Sequence, residues 1–245
     1  MNLPARPAAR GVVRSIAPVA ALAMAVLFIA LGIWQVERRA WKHALIAAVD
    51  ARVNAAPVAP PGPAEWPSIT REQDAYRRVA ATGQFLQSRD TLVRATTDLG
   101  AGYWVLTPFQ TAGSTILVNR GFVPPERRNS VPPARAGNVT VSGLLRISEP
   151  GGGFLHSNDP AAGRWYSRDV AAIADSQHLR RTAPYFIDAD AAINAPGAPV
   201  GGLTVISFPD NHLGYALTWF ALAALSLWGG WRMLRERRYT AGAPA

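Results

Sequence analysis

The chain contains no cysteine among its 245 residues. Disulfide bonds, thiolate metal sites and a cysteine nucleophile are therefore excluded, and the absence fits an oxidising compartment. Acidic residues are also few, since 16 Asp and Glu stand against 25 Lys and Arg and give a formal net charge of +9. Much of this charge flanks two apolar runs, where membrane topology and anionic lipid account for it, so we expect no nucleic-acid partner.

Catalytic signatures are absent as well. The sequence has no GxSxG, no Walker glycine loop and no HExxH, which removes the usual motifs of serine hydrolases, phosphate-binding enzymes and zinc proteases. The segment HSNDP at 156–160 places a serine and an aspartate near a histidine. Neighbours in sequence do not by themselves form a nucleophile and its base, so we interpret the segment as a turn.

Two long runs without any charge are present. They extend from Ile16 to Trp34 and from Leu213 to Trp231. About 20 apolar residues suffice to cross a hydrocarbon core as a helix, so both runs predict membrane-spanning helices. A cleaved signal peptide is the alternative for the first run, but that run is long for a signal core and no small-residue cleavage site follows it.

Basic residues near the ends of these runs predict the orientation. Arginines precede the first run (Arg6, Arg10, Arg14) and follow the second (Arg232, Arg235, Arg237, Arg238). Positively charged flanks favour the cytoplasmic side, so we expect both termini in the cytoplasm and the middle outside it. Basic residues just after the first run oppose this orientation, whereas the segment PDN before the second run supports it.

The middle of the chain is rich in strand patterns. YRRVAATGQF, TLVRATT, VTVSGLLRI, PYFIDAD and LTVISF predict strands, and GYWVLTPFQT followed by TILVNRGFVP predicts an antiparallel hairpin. RDVAAIADSQH predicts one amphipathic helix at about 168–178. The predicted fold class is membrane-anchored α+β, with two transmembrane helices flanking a β-rich periplasmic domain, a small barrel or sandwich with one or two helices.

These patterns set the predicted domain boundaries. They are a cytoplasmic N-terminal tail (1–14), transmembrane helix 1 (15–36), a juxtamembrane helix with a proline-rich connector (37–67), the periplasmic β-rich domain (68–211), transmembrane helix 2 (212–233) and a cytoplasmic C-terminal tail (234–245).

His212 is the candidate ligand that the residues themselves suggest. It falls in the first turn of the second apolar helix, where the helix macrodipole disfavours a positive charge and leaves a ring nitrogen able to bind metal. Tyr215, Ala216 and Trp219 share its helix face, along which a flat apolar macrocycle could stack. A polar residue beside an ordinary interfacial aromatic belt explains the same pattern, and composition leaves both interpretations open.

Arg120 is a second candidate, at the end of the apolar strand VNRGFVP. Its guanidinium can pair with a buried carboxylate or bind an anionic ligand group bidentately. Trp165 and Tyr166 precede the predicted amphipathic helix, and we expect them to pack that helix against the sheet.

A series of segments follows in a recognisable order along the chain. They are LGIWQVERRAWKHALI, YRRVAATGQF, GYWVLTPFQ, ILVNRGFVP, NDPAAGRWYSRDV, PYFID and NHLGYALTWF. In this order, and with the two flanking apolar helices, they resemble the surfeit locus protein 1 family from Leu31 to Trp231. The proline-rich connector from Ala56 to Pro63 and the loop VPPERRNSVPPARAG depart from the family pattern.

The resemblance implies an assembly factor for haem-copper cytochrome c oxidase, and no enzyme. Such a protein acts on oxidase subunit I when haem a is inserted, during respiratory chain biogenesis in the bacterial inner membrane. Bacterial members are regarded as binding haem a, and the family's proposed iron ligand is the histidine of the NHL motif, His212 in this chain. Expected partners are subunit I, membrane lipid and haem a synthase. The alternative is a haem-free membrane scaffold or chaperone that stabilises subunit I.

A haem a carrier would need cations for the two propionates. Arg38, Arg39 and Lys42 lie at the same predicted interface as His212, on the first helix, and Arg120 is a further candidate. The isoprenoid tail of haem a would stay in lipid. Transfer requires release, which suits a single exchangeable histidine ligand.

Overall fold

The computed structural model describes residues 8–153, 155–191, 197–204 and 210–241. The helices are α1 (Ala8–Val53), α2 (Arg71–Asp74), α3 (Val170–Ser176) and α4 (His212–Ala241). The strands are β1 (Arg78–Phe85), β2 (Thr91–Thr97), β3 (Gly100–Gln110), β4 (Thr115–Val123), β5 (Val139–Ile147), β6 (Gly152–Gly153), β7 (His156–Ser157) and β8 (Thr182–Ala189). Short 3-10 turns occur at Trp66–Ser68 and Pro125–Arg127. Residues 205–208 of the predicted strand LTVISF, and parts of both predicted tails, lie outside the described residues.

The chain divides into two compact units, one of residues 1–47 with 207–245 and one of residues 48–206. Both α1 and α4 contain segments long and apolar enough to cross a membrane, Ile16–Val53 and His212–Glu236. Few side chains of these segments are buried within the protein, unlike those of a core helix in a soluble domain. The two predicted apolar helices are therefore confirmed, and they indicate a membrane protein.

Small residues lie where the two helices contact each other. Ala25, Ala216 and Ala223 are buried, and a Cβ added to Gly32 would meet the ring of Phe220 at 2.5 Å. Small side chains allow helix backbones to approach closely within lipid, where no hydrophobic effect drives association. The stacked rings of Phe28 and Trp219, with centroids 5.6 Å apart, complete this contact.

The second unit is a barrel-like β domain. Its main sheet has the order β1-β5-β8-β4-β3-β2, and pairing of β1 with β3 at Phe85 and Phe109 closes the sheet on itself. The predicted hairpin is confirmed, since β3 pairs antiparallel with β4. All pairings in this sheet are antiparallel except that of β4 with β8. Closure resolves the expected barrel or sandwich in favour of a barrel.

Strand β4 is buried along its whole length because both of its faces are covered. Ile116 and Val118 point into the barrel with Phe109, Val141 and Leu145. Leu117 points the other way, into a second cluster with Phe186, Trp165 and Ile173 of α3. The packing of α3 on the sheet that was expected from Trp165 and Tyr166 is observed for Trp165, whereas Tyr166 stacks on His156. Helix α3 begins at Val170 rather than at about 168.

The N-terminus of α3 is capped by Asp169, whose carboxylate accepts a hydrogen bond from the N–H of Ala172 at 3.1 Å.

Gly121 lies near the end of β4 and has a φ of +131°, and a Cβ there would lie 2.3 Å from the carbonyl oxygen of Val200. Only glycine fits this position, so the chain from Val200 to Gly202 can cross directly over the end of β4.

Candidate functional site

Three polar side chains at intervals of four residues form one face of α1, where the apolar part of the helix ends. They are Gln35, Arg39 and His43, and they face the beginning of α4 at Asp210 and His212. A spacing of four brings side chains to the same side of a helix, one turn apart. We call these five residues the polar cluster of the helix pair.

Asp210 is the anionic centre of the polar cluster. One carboxylate oxygen, Oδ2, accepts a hydrogen bond from Nε2 of His43 at 2.6 Å and lies 3.3 Å from Nε of Arg39. The other, Oδ1, accepts a hydrogen bond from the backbone N–H of His212 at 3.1 Å. The hydrogen bond from His43, together with the N–H of His212 and the charge of Arg39, lowers the pKa of Asp210 against the opposing effect of burial.

His212 is the first residue of α4 and is half-buried. Its ring nitrogen Nδ1 lies 2.8 Å from Oε1 of Gln35 on the neighbouring helix. Within the described part of the chain, no group hydrogen-bonds to the other ring nitrogen, Nε2. The backbone and one side of the imidazole are therefore held, and the second nitrogen can accept a metal.

Tyr215 and Trp219, predicted to share a face with His212, have different surroundings. Trp219 stacks on Phe28 of α1, and Ala216 between them is buried against the helix pair. Tyr215 is 57% exposed. The ring of Tyr215 is thus available beside His212, whereas one face of Trp219 is already covered.

The three cations predicted near His212 are not equivalent in the structure. Arg39 lies in the polar cluster through its ion pair with Asp210. The guanidinium of Arg38 lies over the ring of Trp41, 4.1 Å from its centroid. Lys42 is half-buried on the same helix. Arg39 is therefore linked to the predicted ligand through Asp210, whose carboxylate contacts both Arg39 and His212.

Arg120 lies in the barrel unit and is 2% exposed. Its Nη2 lies 3.3 Å from a carboxylate oxygen of Asp90 and donates to the carbonyl oxygen of Pro132 at 2.9 Å. Burial lowers the pKa of Arg120, and the nearby charge of Asp90 opposes that effect. Of the two alternatives left open for this residue, the structure shows pairing with a carboxylate, and its role toward haem remains a prediction.

A second polar constellation surrounds Asp188 at one end of the barrel. This carboxylate is 5% exposed. It accepts hydrogen bonds from Asn119 Nδ2 at 2.8 Å, Arg146 Nη1 at 2.9 Å, Thr204 Oγ1 at 3.0 Å and Arg168 Nη1 at 3.4 Å. A buried charge is tolerated only when it is paired and hydrogen-bonded, and Asp188 has four such partners.

Arg168 links Asp188 to a second carboxylate. It donates from Nε and Nη2 to the two oxygens of Glu149, at 3.0 and 2.6 Å, and its guanidinium lies over the ring of Phe186. Burial alone would lower the pKa of Arg168, but Asp188 and Glu149 raise it overall. Burial likewise would raise the pKa of Glu149, and the hydrogen bond and charge of Arg168 lower it overall.

A cleft of about 410 Å³ opens beside this constellation, lined by polar groups and by Trp104. Asn119 and Arg168 both line it, and both belong to segments that carry the family resemblance. Opposite charges balance in this network, because each arginine faces a carboxylate. We therefore interpret the network as structural: it stabilises the barrel by linking β4, β5, β8 and the start of α3.

The segment HSNDP, predicted to be a turn, is one only at its end: His156 and Ser157 form strand β7, and the turn runs from Pro160 to Gly163 between the bridged residues Asp159 and Arg164. Asp159 accepts a hydrogen bond from the N–H of Ala162 at 3.1 Å and pairs with Arg164. Asn158 accepts from the N–H groups of Tyr166 and Ser167. The side chains of Asn158 and Asp159 therefore bind groups of their own loop. Trp165 is buried in the cluster that packs α3, as predicted.

Sequence reasoning missed Gln35 and His43 as members of the polar cluster. One signal was present, because Gln35 lies in the predicted span 15–36, where a polar side chain needs a partner. The intervals from Gln35 to Arg39 and from Arg39 to His43 place all three on one helix face. Their partners could not be found in this way, since His212 follows Gln35 by 177 residues.

Comparison with known proteins identifies the family to which the chain belongs. The SURF1 family profile matches residues 22–224. Surfeit locus protein 1 of Mus musculus is 37% identical over 220 residues, which cover 81% of this chain and 70% of the mouse protein. The SURF1-like protein of Monosiga brevicollis is 37% identical over 238 residues, covering 89% and 87%. Surfeit locus protein 1 of Homo sapiens is 35% identical over 223 residues, covering 81% and 71%.

Proposed function

The chain belongs to the SURF1 family, and on that premise we propose that it is an assembly factor for haem-copper cytochrome c oxidase. In this proposal the protein holds haem a at His212 and presents it to oxidase subunit I. Family membership supports the assembly role. The observation that carries the haem assignment is the imidazole of His212, held through Nδ1 by Gln35 at 2.8 Å.

The donor chemistry at this site fits a haem iron. Histidine that binds metal through one ring nitrogen commonly engages the other with a hydrogen-bond acceptor, which fixes the ring and its tautomer. Gln35 supplies that acceptor. The bound group would supply the iron, the protein would supply one imidazole nitrogen at His212 and an exposed aromatic ring at Tyr215, and the surrounding lipid would take the isoprenoid tail.

Arg39 is the preferred propionate partner, because its guanidinium is already placed in the polar cluster by Asp210. Arg38 and Lys42 lie within one turn of it and extend the positive surface. A propionate would compete with Asp210 for Arg39, so binding and release of haem would exchange one carboxylate for another. Arg120, buried against Asp90, is the least suited of the four predicted cations.

The proposed location is a bacterial inner membrane, with both termini cytoplasmic and the barrel in the periplasm. Arg232 lies over the ring of Trp228 and Arg235 over that of Trp231, with centroid distances of 5.8 and 4.9 Å. Aromatic and basic residues at one end of a membrane helix are typical of the end that lies among the lipid headgroups on the cytoplasmic side. The proposed partners are subunit I, haem a synthase and membrane lipid.

The test is an absorption spectrum of the full chain purified in detergent from cells that also make haem a. Wild type and His212→Ala are compared with His156→Ala, which removes a histidine of the barrel surface that stacks on Tyr166. We expect a haem a band in wild type and His156→Ala and its loss in His212→Ala. Each variant is checked for an unchanged circular dichroism spectrum.

Other outcomes separate the alternatives. Equal haem content in all three proteins would contradict the assignment of His212. No haem in any of them, together with full co-purification of subunit I, would replace the carrier by a haem-free scaffold.

A further inference from the structure

We infer that Gln35 is a positioning residue for His212. It fixes the imidazole with its proton on Nδ1, so that the lone pair of Nε2 is the one presented to an incoming metal. The inference rests on the proposed function only for the identity of that metal. The orientation of the ring is a property of the helix pair itself.

The first step follows from the chemistry of the contact. The atom of Gln35 that faces His212 Nδ1, at 2.8 Å, is the carboxamide oxygen Oε1. A carboxamide oxygen accepts hydrogen bonds and cannot donate one. With this oxygen as its partner, we infer that Nδ1 carries the hydrogen, and a neutral imidazole with hydrogen on Nδ1 has its lone pair on Nε2.

The surroundings make this contact selective. Gln35 lies within the apolar segment of α1, between Trp34 and Val36, which are both exposed on the helix surface. A polar side chain in lipid is costly unless it is hydrogen-bonded, and low dielectric strengthens the bond that it makes. The hydrogen bond to His212 satisfies one side of the carboxamide and at the same time selects one tautomer of the histidine.

A second histidine in the same cluster provides an internal contrast. His43 uses its Nε2 to donate to Asp210, at 2.6 Å. The nitrogen left over on His43 is Nδ1, which is next to its own backbone. His212 is engaged in the opposite sense, through Nδ1, and its outer nitrogen has no hydrogen-bond partner among the described residues. The cluster therefore distinguishes the two rings, and His212 is the one suited to bind a metal.

The backbone of His212 is held separately. Oδ1 of Asp210 accepts the N–H of His212 at 3.1 Å. His212 is thus held at two points, its backbone N–H by Asp210 and its imidazole by Gln35 on the neighbouring helix. Loss of the Gln35 oxygen should release the ring while the start of α4 stays in place.

The test uses nitrogen NMR of the haem-free full chain, labelled with ¹⁵N in the histidine rings, in lipid nanodiscs at about pH 8, where ordinary histidines are neutral. The chain has four histidines, so the His212→Ala spectrum identifies the signals of His212 by their loss. We expect wild type to show Nδ1 as the protonated nitrogen. In water an imidazole favours hydrogen on Nε2, so this result would not arise from an unconstrained ring.

Three variants complete the test. Gln35→Leu removes the acceptor at similar volume and should return His212 to a mixture dominated by hydrogen on Nε2. Gln35→Glu keeps an acceptor oxygen at the same reach and should retain hydrogen on Nδ1. Phe28→Ala removes the stack on Trp219 and loosens helix packing without touching the imidazole, so it should keep the wild-type tautomer.

Haem titration of wild type and these three variants gives the second readout. We expect Gln35→Leu to bind haem roughly tenfold more weakly than wild type, the lower end of what loss of an outer-shell partner costs a metal site, and Gln35→Glu to restore binding. An identical tautomer in wild type and Gln35→Leu would overturn the inference. Absence of haem binding by wild type would instead overturn the proposed carrier function. The role of Gln35 would still be decided by the tautomer of His212, which is measured without haem.

Discussion

His43 donates a hydrogen bond from Nε2 to the carboxylate of Asp210 at 2.6 Å. The same carboxylate accepts the backbone N–H of His212 through its other oxygen. Asp210 therefore has two separable functions, since its charge holds α1 and its oxygen caps the start of α4. These functions can be separated because asparagine caps helices about as well as aspartate but carries no charge.

Replacement of Asp210 should separate capping from charge. In Asp210→Ala we expect the amide hydrogen of His212 to exchange several-fold faster than in wild type, because the oxygen that protects it is gone. In Asp210→Asn the exchange of this amide should stay near the wild-type rate, while the ring signals of His43 change because the anionic acceptor is lost. Hydrogen exchange measured by NMR on the full chain tests both. Equal acceleration in the two variants would contradict the capping role.

The close approach of α1 and α4 can be tested because the chain has no cysteine of its own. A Cβ added at Gly230 would lie 3.2 Å from Cβ of Ala21. Disulfides join residues whose Cβ atoms lie about 3.5–4.5 Å apart, so a small relaxation suffices. We expect Ala21→Cys/Gly230→Cys to form a disulfide in membranes, and protease cleavage within the barrel should leave two fragments joined until reduction.

The matched control moves one cysteine by a single residue. Leu22 is 58% exposed and points about 100° away from Ala21 around the helix. Leu22→Cys/Gly230→Cys should therefore remain reduced under the same conditions. Cross-linking of both pairs to the same extent would show that the two helices move freely past each other, against the packing described for this pair.

The sequence predicted the parts of this fold that depend on neighbouring residues. The absence of charge predicted both apolar helices, and local strand patterns predicted β1, β2, β5 and the hairpin of β3 and β4. The pairing of β4 with β8 was not predictable in this way, because Val118 and Ile187 meet across a long connection. Arg120 illustrates the same limit, since no local pattern indicates whether a guanidinium at a strand end will face Asp90 or a ligand.

Asp188 should be essential to the stability of the barrel. In Asp188→Asn the side chain keeps its size but loses the charge that Arg146 and Arg168 require, and its amide would face other donors. Breaking a buried ion pair on one side costs about 3 kcal/mol or more. We expect a loss of this size in the free energy of unfolding, measured with denaturant on the full chain in detergent and followed by tryptophan fluorescence.

An exposed ion pair in the same unit gives the comparison. Arg164 pairs with Asp159, and their side chains are 58% and 37% exposed. Arg164→Ala should lower the free energy of unfolding far less than Asp188→Asn does, because surface pairs contribute little in water. If Asp188→Asn lowered the free energy of unfolding as little as Arg164→Ala, the network around Asp188 would not stabilise the barrel as we infer.

Glu149 gives the barrel a defined dependence on pH. Although burial raises the pKa of Glu149, its hydrogen bond with Arg168 and the charges of Arg168 and Arg146 hold that pKa below the ordinary value in the folded state. A carboxyl with a depressed folded pKa contributes stability that is complete above its unfolded pKa and is lost as pH falls through the folded pKa. Wild type should therefore be more stable than Glu149→Gln at about pH 7, and the difference should shrink as pH falls from about 5 toward 2.

The denaturant midpoints of both proteins across this pH range measure the difference in stability. A difference that stays constant down to about pH 2 would mean that Glu149 acts through packing and not through its charge.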